Sequence, residues 1–209
     1  TSKGISNDLQ KLLDRFSFKI IATPIQISTD SYSQWAISEL QNFLIALNDA
    51  VSAFPDSLFI IKGKKGELRL VNPAVLEALK KHQNCYVIMS DVPRALEFNQ
   101  FEDIITQCDL LISMSHTSTT IWQALANGVR AIGINDVHPH SFLNKYDYLE
   151  VRLSDLINAI RYCKNLDEKS WQKFLEDINA KVNLGQGQGL LQIVTDIKTR
   201  LNAKRCGAM

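Results

Sequence analysis

Between positions 114 and 120 the chain reads Met-Ser-His-Thr-Ser-Thr-Thr, which crowds five hydroxyls (Ser115, Thr117, Ser118, Thr119, Thr120) and the imidazole of His116 into one short stretch. A helical segment follows, containing Ile121-Trp122-Gln123-Ala124-Leu125 and stopped by Gly128. The first N–H groups of a helix have no intrahelical partner and carry the positive end of its dipole, so an anion is stabilised there. Small hydroxylated side chains let a phosphate approach and add hydrogen bonds. One Ser or Thr is accounted for by an N-cap; five are not. The chemistry expected of this stretch is phosphate or pyrophosphate binding.

Three other stretches hold groups of similar potential. Lys62-Gly63-Lys64-Lys65-Gly66 combines turn-forming glycines with cations that suit a mono- or diphosphate, or else makes a solvated basic turn. It lacks the P-loop pattern. Ser90-Asp91-Val92-Pro93-Arg94 reads as a proline-containing loop able to offer backbone groups to a base, with Arg94 either a surface residue or an anion contact. Asn135-Asp136-Val137-His138-Pro139-His140 could supply an acid/base set, two metal ligands or a polar cleft lining. Its spacing matches no metal motif, and no metal is expected. Gly185-Gln186-Gly187-Gln188-Gly189 follows a helical segment rather than a strand, so it reads as a hinge and not as a dinucleotide fingerprint.

The elements that must position these groups follow from the hydrophobic pattern. Short apolar runs at Phe18–Thr23, Leu58–Ile61, Cys85–Met89, Leu110–Met114 and Val129–Ile134 read as five buried strands. Between them lie helical periods: Ile37, Leu40, Leu44, Leu47 and Val51; a segment opening at Pro73; Phe101 to Gln107; and Thr117 to Asn127. Near-continuous apolar strands alternating with helices predict an α/β fold, a doubly wound, Rossmann-like parallel sheet with helices on both faces. The last third is helical, with Ser154 expected to cap a helix over Asp155–Lys164. Trp171, Phe174, Leu175, Ile178 and Val182 mark a second apolar face, and Leu190, Val194, Ile197 and Leu201 a third. Residues 1–16 read as a linker or helix, and 17–209 as the domain. Ligands of such sheets sit beyond the carboxyl ends of the strands, where all four stretches above fall.

Composition narrows the classes. With 209 residues, 45% hydrophobic and 22% charged, the chain can bury a proper core. No apolar run approaches the roughly 18–20 residues of a membrane helix. A net charge of +1 from 23 basic and 22 acidic residues argues against a nucleic-acid partner. Cys85, Cys108, Cys163 and Cys206 form no CxxC pair and read as reduced thiols of a cytoplasmic protein. The chain opens on Thr1 with no visible signal peptide, so it is expected to be a trimmed chain or a piece of a longer one.

The stretch from Ser90 to Asp136, and above all Asp109-Leu-Leu-Ile-Ser-Met-Ser-His-Thr-Ser-Thr-Thr-Ile-Trp-Gln-Ala-Leu-Ala-Asn-Gly-Val-Arg-Ala-Ile-Gly-Ile-Asn-Asp136, resembles the nucleotide-sugar half of glycosyltransferases with the two-domain GT-B fold. Bacterial surface-polysaccharide transferases and the related sugar 2-epimerases are most similar. The resemblance implies that Ser115, Thr117, Ser118, Thr119 and Thr120 hold the donor phosphate. It places Lys62, Gly63 and Lys64 with Asp91, Val92 and Pro93 around the base and ribose. Many family members carry a glutamate for the ribose one turn into the helix; here Gln123 stands there, a departure from the usual UDP-sugar pattern. The hydroxyl-rich loop also resembles transferases using CMP-activated acids, so CMP-Kdo or CMP-sialic acid is the favoured donor. His116 and Asp136 are the local residues best placed to touch the transferred sugar. The resemblance further implies a second Rossmann domain, a glycan or lipid-linked glycan acceptor, no cofactor, and association with the inner membrane face if the acceptor is lipid-linked. A 2-epimerase-like enzyme and a non-catalytic flavodoxin-like scaffold are the alternatives.

Overall fold

The computed structural model describes residues 4–24, 34–63, 66–89, 98–115, 118–136 and 150–182. In chain order the elements are α1 (Asn7–Arg15), β1 (Phe18–Thr23), α2 (Gln34–Ala53), β2 (Ser57–Lys62), α3 (Pro73–Lys80), β3 (Cys85–Ile88), α4 (Phe101–Ile105), β4 (Leu110–Ser113), α5 (Thr119–Ala126), β5 (Arg130–Ile134), β6 (Glu150–Val151), α6 (Leu156–Asn165) and α7 (Glu168–Val182). They fall into two compact units, Thr1–Asn165 and Leu166–Met209.

The first unit is built on one six-stranded sheet in the order β3-β2-β1-β4-β5-β6, every neighbouring pair parallel. The expected doubly wound α/β architecture is therefore present. β2 and β4 are buried along their whole length, which is why both read as continuous apolar runs. Alternation divides the strand residues between two faces. Ile20, Ala22, Phe59, Ile61, Leu110, Ile112, Ile132 and Ile134 join Leu40, Leu44 and Leu47 of α2, Leu76 and Leu79 of α3 and Ile160 of α6 in one core cluster. The buried residues of α5 (Ile121, Ala124 and Leu125) lie outside that cluster, and α5 covers β4 and β5 on the opposite face.

Local chemistry sets the helix ends. Asn72 caps α3, its Oδ1 accepting from the Ala74 N–H at 3.0 Å, with Pro73 at the first helical position. Gly128 ends α5 at φ +74°, a left-handed conformation that favours glycine. The helix at the start of the chain is held by Asn99, whose Oδ1 accepts from the Ser6 N–H at 2.7 Å and whose Nδ2 donates to Ser6 Oγ at 3.0 Å.

Two features differ from the sequence expectation. β6 is an additional, two-residue edge strand paired to β5 through Gly133↔Glu150 and Ile134↔Val151. Ser154 does not cap α6; it lies inside a 3-10 turn over Leu153–Asp155 that leads into the helix. The carboxylate that caps this turn comes from a distance in sequence: Asp136 Oδ1 accepts from the Leu153 N–H at 3.0 Å.

In the second unit, α7 opens on Asp167, whose Oδ1 accepts from the Ser170 N–H at 2.9 Å. The Trp171 and Phe174 rings stack with centroids 5.1 Å apart. The glycine-rich stretch 185–189 and the expected helix carrying Leu190 to Leu201 lie outside the described residues, as does Cys206.

Candidate functional site at the carboxyl edge of the sheet

The strand order reverses direction between β1 and β4, which are neighbours in the sheet although two strands separate them in sequence. A crevice opens at such a switch point, beyond the carboxyl ends of the strands. Here those ends are Thr23 and Ser113, directly in register, with the Met114 N–H donating to Thr23 O at 3.0 Å.

From Ser113 the chain turns into α5. Ser113 Oγ donates to Ser115 O at 3.0 Å, and the Ser115 N–H reaches back to Ser113 Oγ at 3.4 Å. The Ser118 N–H then donates to Ser115 O at 3.2 Å. Ser118 is the N-cap: its Oγ accepts from the Thr120 N–H at 3.4 Å and lies 2.7 Å from Thr120 Oγ1. Thr120 is buried and Thr119 is exposed. The Thr119 N–H, first in the helix, has no hydrogen-bond partner among the described residues. It is a backbone donor at the positive end of the dipole, placed at the switch point.

The hydroxyls of the cluster thus divide by role. Ser118 and Thr120 satisfy the helix start, while Thr119 is exposed and Ser115 half-buried between β4 and α5. Gln123 is exposed one turn along α5, on the stripe that Thr119 begins. His116 and Thr117, expected beside them, lie outside the described residues, as do Lys64, Asp91, Val92, Pro93 and both histidines of the 138–140 stretch.

Lys62 and Gly63 are placed at the carboxyl end of β2. Lys62 is the last residue of the strand and is buried, rather than the first residue of a solvated loop. The Gly63 N–H donates to Ile88 O at 3.0 Å, so it continues the β3 ladder and is not open to a ligand. A Cβ at Gly63 would come within 3.1 Å of Leu68 Cδ1, so packing alone accounts for a glycine there. Asp136 is exposed beyond β5 with one carboxylate oxygen engaged by Leu153. Next to it, Asn135 Nδ2 donates to Glu150 Oε1 and the Asn135 N–H donates to Val151 O at 2.9 Å.

Among the described residues no cluster of three His, Cys, Asp or Glu side chains is arranged to hold a metal. The three described cysteines are buried. Loss of hydration pushes the Cys85 and Cys163 thiols up to about 12 and Cys108 higher still, so they stay protonated and are poor nucleophiles. Sequence reasoning does not single out Thr23 and Ser113, the two residues that end β1 and β4 at the switch point. The available signal was a polar residue closing an otherwise apolar strand, visible at both positions.

No family model and no curated protein matches this sequence. Solved structures do match its fold. The C-terminal domain of a group 1 family glycosyl transferase from Francisella tularensis aligns at TM-score 0.55 and 12% identity, covering 85% of this chain and 94% of that domain. A UDP-N-acetylglucosamine 2-epimerase aligns at TM-score 0.56 and 14% identity, covering 97% and 48%. The S. aureus MnaA–UDP complex aligns at TM-score 0.56 and 14% identity, covering 94% and 49%. The chain spans about half the length of the last two. It has the Rossmann-like fold of one half of a GT-B enzyme, the fold shared by these glycosyltransferases and sugar-nucleotide 2-epimerases.

Proposed function

We propose that this chain is the donor-binding half of a glycosyltransferase that takes its sugar from a nucleotide-activated donor. The observation that carries the reading is the Thr119 N–H, without a partner among the described residues, at the start of a helix that opens on the β1/β4 switch point. A donor phosphate seated there meets a fixed dipole and hydroxyls at Ser115 and Thr119. As the bond to the sugar breaks, charge grows on that phosphate, and donors already oriented stabilise the departing group without rearrangement. Gln123, on the same exposed stripe, is assigned to a ribose hydroxyl. Lys62 and Lys64 with Asp91, Val92 and Pro93 are assigned to the base side, and Thr117 to the phosphate; Gly63 is left to packing. His116 and Asp136 are assigned to the transferred sugar; the oxygen of Asp136 not opposite Leu153 is the one this role requires.

A second Rossmann domain supplies the acceptor site in this reading, in keeping with a chain half the length of the full enzymes it resembles. The acceptor is a glycan or lipid-linked glycan of a surface polysaccharide, met in the cytoplasm or at the inner membrane face. No described helix is long and apolar enough to cross a membrane. For the nucleotide, the hydroxyl-rich loop supports CMP-Kdo or CMP-sialic acid, whereas MnaA is in complex with UDP and the 2-epimerase is one of UDP-N-acetylglucosamine. A 2-epimerase-like activity is the second reading, favoured by the likeness to such an enzyme.

Calorimetric titration with CMP, CDP, UDP and GDP tests the proposal. Thr119→Pro is the informative variant. Proline is tolerated at the first helical position, and Ser118 before it already has φ −67° and ψ 135°, the conformation a following proline requires. The substitution removes one N–H and keeps the helix. Selective binding of a nucleotide, lost in Thr119→Pro, is the expected result; a nucleotide that binds both proteins equally overturns the assignment. With donor sugar and the second domain supplied, deuterium uptake at a sugar carbon marks an epimerase and its absence with transfer marks a transferase.

A further inference from the structure

The sheet ends on β6, which pairs with β5 alone among the described strands, and from it the chain runs through Arg152 and the 3-10 turn over Leu153–Asp155 into α6. Leu156, Ile160 and Cys163 turn one side of α6 into the core cluster. Asp155, Asn158, Ala159 and Tyr162 stand at the i, i+3, i+4 and i+7 spacing that gathers side chains along one flank of a helix. Between that flank and β6 lies a cleft of about 530 Å³, walled by Glu150 and Arg152 on the strand side and by Asp155, Asn158 and Tyr162 on the helix side, with the buried Ala159 in its lining. Its volume falls in the range of about 300–1,000 Å³ usual for small-ligand clefts. It lies two strands beyond β4, about 10 Å across the sheet from the switch point.

The lining combines an aromatic surface with mixed polar groups. Tyr162 is 50% exposed, one of three large apolar side chains so placed among the described residues, and its ring is an apolar platform with a polar tip. Around it the hydrogen-bonding groups differ in kind. The Glu150 and Asp155 carboxylates accept, the Arg152 guanidinium donates, and the Asn158 amide can do both. Two of these groups are held in place by the fold. Asn158 Oδ1 accepts from Arg161 Nη1 at 2.9 Å, which turns its Nδ2 donors the other way, and Glu150 Oε1 accepts from Asn135 Nδ2.

Ligand classes meet this lining unequally. A phosphate faces two carboxylates against one guanidinium, a net repulsion. An apolar molecule covers the charged groups without pairing them, at the cost of their hydration. A sugar ring suits both parts of the cleft. Its neighbouring hydroxyls each donate and accept, so one gives to Asp155 while the next takes from Arg152 or Asn158, and its C–H face lies flat on an aromatic ring. We propose that the cleft between β6 and α6 is a carbohydrate-binding site for a neutral oligosaccharide, with Tyr162 as the platform under one sugar ring and Arg152, Asp155 and Asn158 as partners of its hydroxyls. The site needs no nucleotide for its recognition; in a transferase it holds a stretch of the acceptor glycan on the half that binds the donor.

Titration of the full 209-residue chain with maltotriose, cellotriose, mannotriose and chitotriose, followed by its amide NMR spectrum, tests this, with a tetralysine peptide as the rival ligand for the two carboxylates. At least one trisaccharide should bind at millimolar concentration. Tyr162→Ala should weaken that binding by about 10-fold, and Tyr162→Phe by no more than about 3-fold because the platform remains. Arg152→Ala should cost about 10-fold and Asn158→Ala about 5-fold. All three positions are exposed, so the variants should unfold at the wild-type temperature, which separates lost binding from lost folding. No trisaccharide bound by the folded wild type, binding that Tyr162→Ala leaves unchanged, or binding of the peptide alone overturns the site. UDP and CDP should bind Tyr162→Ala as they bind the wild type, so failure of the sugar site and failure of the nucleotide site are read separately.

Discussion

The two edges of the sheet differ in how they treat several of their polar groups. At the amino edge Asn84, Asp109 and Lys164 each close on partners of neighbouring elements. Asn84 Nδ2 lies within hydrogen-bond reach of Val51 O (3.1 Å), Phe54 O (3.0 Å) and Ser57 O (3.1 Å), joining the end of α2 to the start of β2. Asp109 Oδ2 accepts from the Lys19 N–H at 2.7 Å, joining β4 to β1. Lys164 at the end of α6 donates to Asp56 Oδ2 at 2.6 Å and Ser57 Oγ at 3.0 Å, and its ammonium lies 5.7 Å from the Phe18 ring centroid. At the carboxyl edge an N–H and a buried hydroxyl, those of Thr119 and Thr23, have no such partner among the described residues. Buried polar groups are paired in nearly every native structure, so the Thr23 hydroxyl stands apart from its surroundings. In the proposed function one edge fastens the fold and the other carries the binding chemistry.

Substitutions should respect that division. The largest loss of stability is expected from Asn84→Leu, which leaves buried carbonyls without a donor and should lower the unfolding free energy by about 2–3 kcal/mol in a urea titration. A change in nucleotide affinity at native temperature would contradict the separation of the edges. Ser118→Ala should cost about 1 kcal/mol by the same measurement, because the cap is lost from α5. It differs from Asn84→Leu in disturbing ligand binding as well. Thr23→Val should move the other way, gaining up to about 1 kcal/mol in the unliganded protein as an orphan hydroxyl is removed. A loss of 1 kcal/mol or more would mean that the hydroxyl is paired in solution.

The smallest effect belongs to Asp56. The hydrogen bond from Lys164 holds its carboxyl below the usual carboxylate range, opposed by a slight loss of hydration. A lowered folded-state value contributes stability that is present above the unfolded value near 3.9 and lost as pH falls through the folded one. Asp56 is 69% exposed, so solvent screening limits the pair to about 1 kcal/mol or less. Asp56→Asn should therefore lower stability slightly at pH 7 and not at pH 2, a difference read from paired urea curves.

Much of this fold is legible in the residues. Phe18–Thr23, the runs around Phe59 and Leu111, and the period from Ile37 to Val51 appear as strands and a helix because burial on both faces demands uninterrupted apolar side chains. β6 is not legible, since two residues, Glu150 and Val151, form no pattern and are strand only through pairing with β5. Local sequence sets the start of α6 too early because Ser154 is a good local cap, whereas the group that caps the turn, Asp136, is brought from 17 positions away by the sheet. The site divides in the same way. The hydroxyls before α5 announce themselves by type and spacing. Thr23 and the burial of Lys62 do not, because only strand order and register bring residues 23, 62 and 113 into one row.

The central claim is that the open N–H at Thr119 is a phosphate site. Calorimetric titration of the wild-type chain and Thr119→Pro with UDP and CDP, alongside the unfolding temperature of each, measures it most directly. We expect binding of at least one nucleotide by the wild type, a loss of about 10-fold or more in Thr119→Pro, and unchanged folding. Equal binding by the two proteins, or none by a folded wild type, would contradict it.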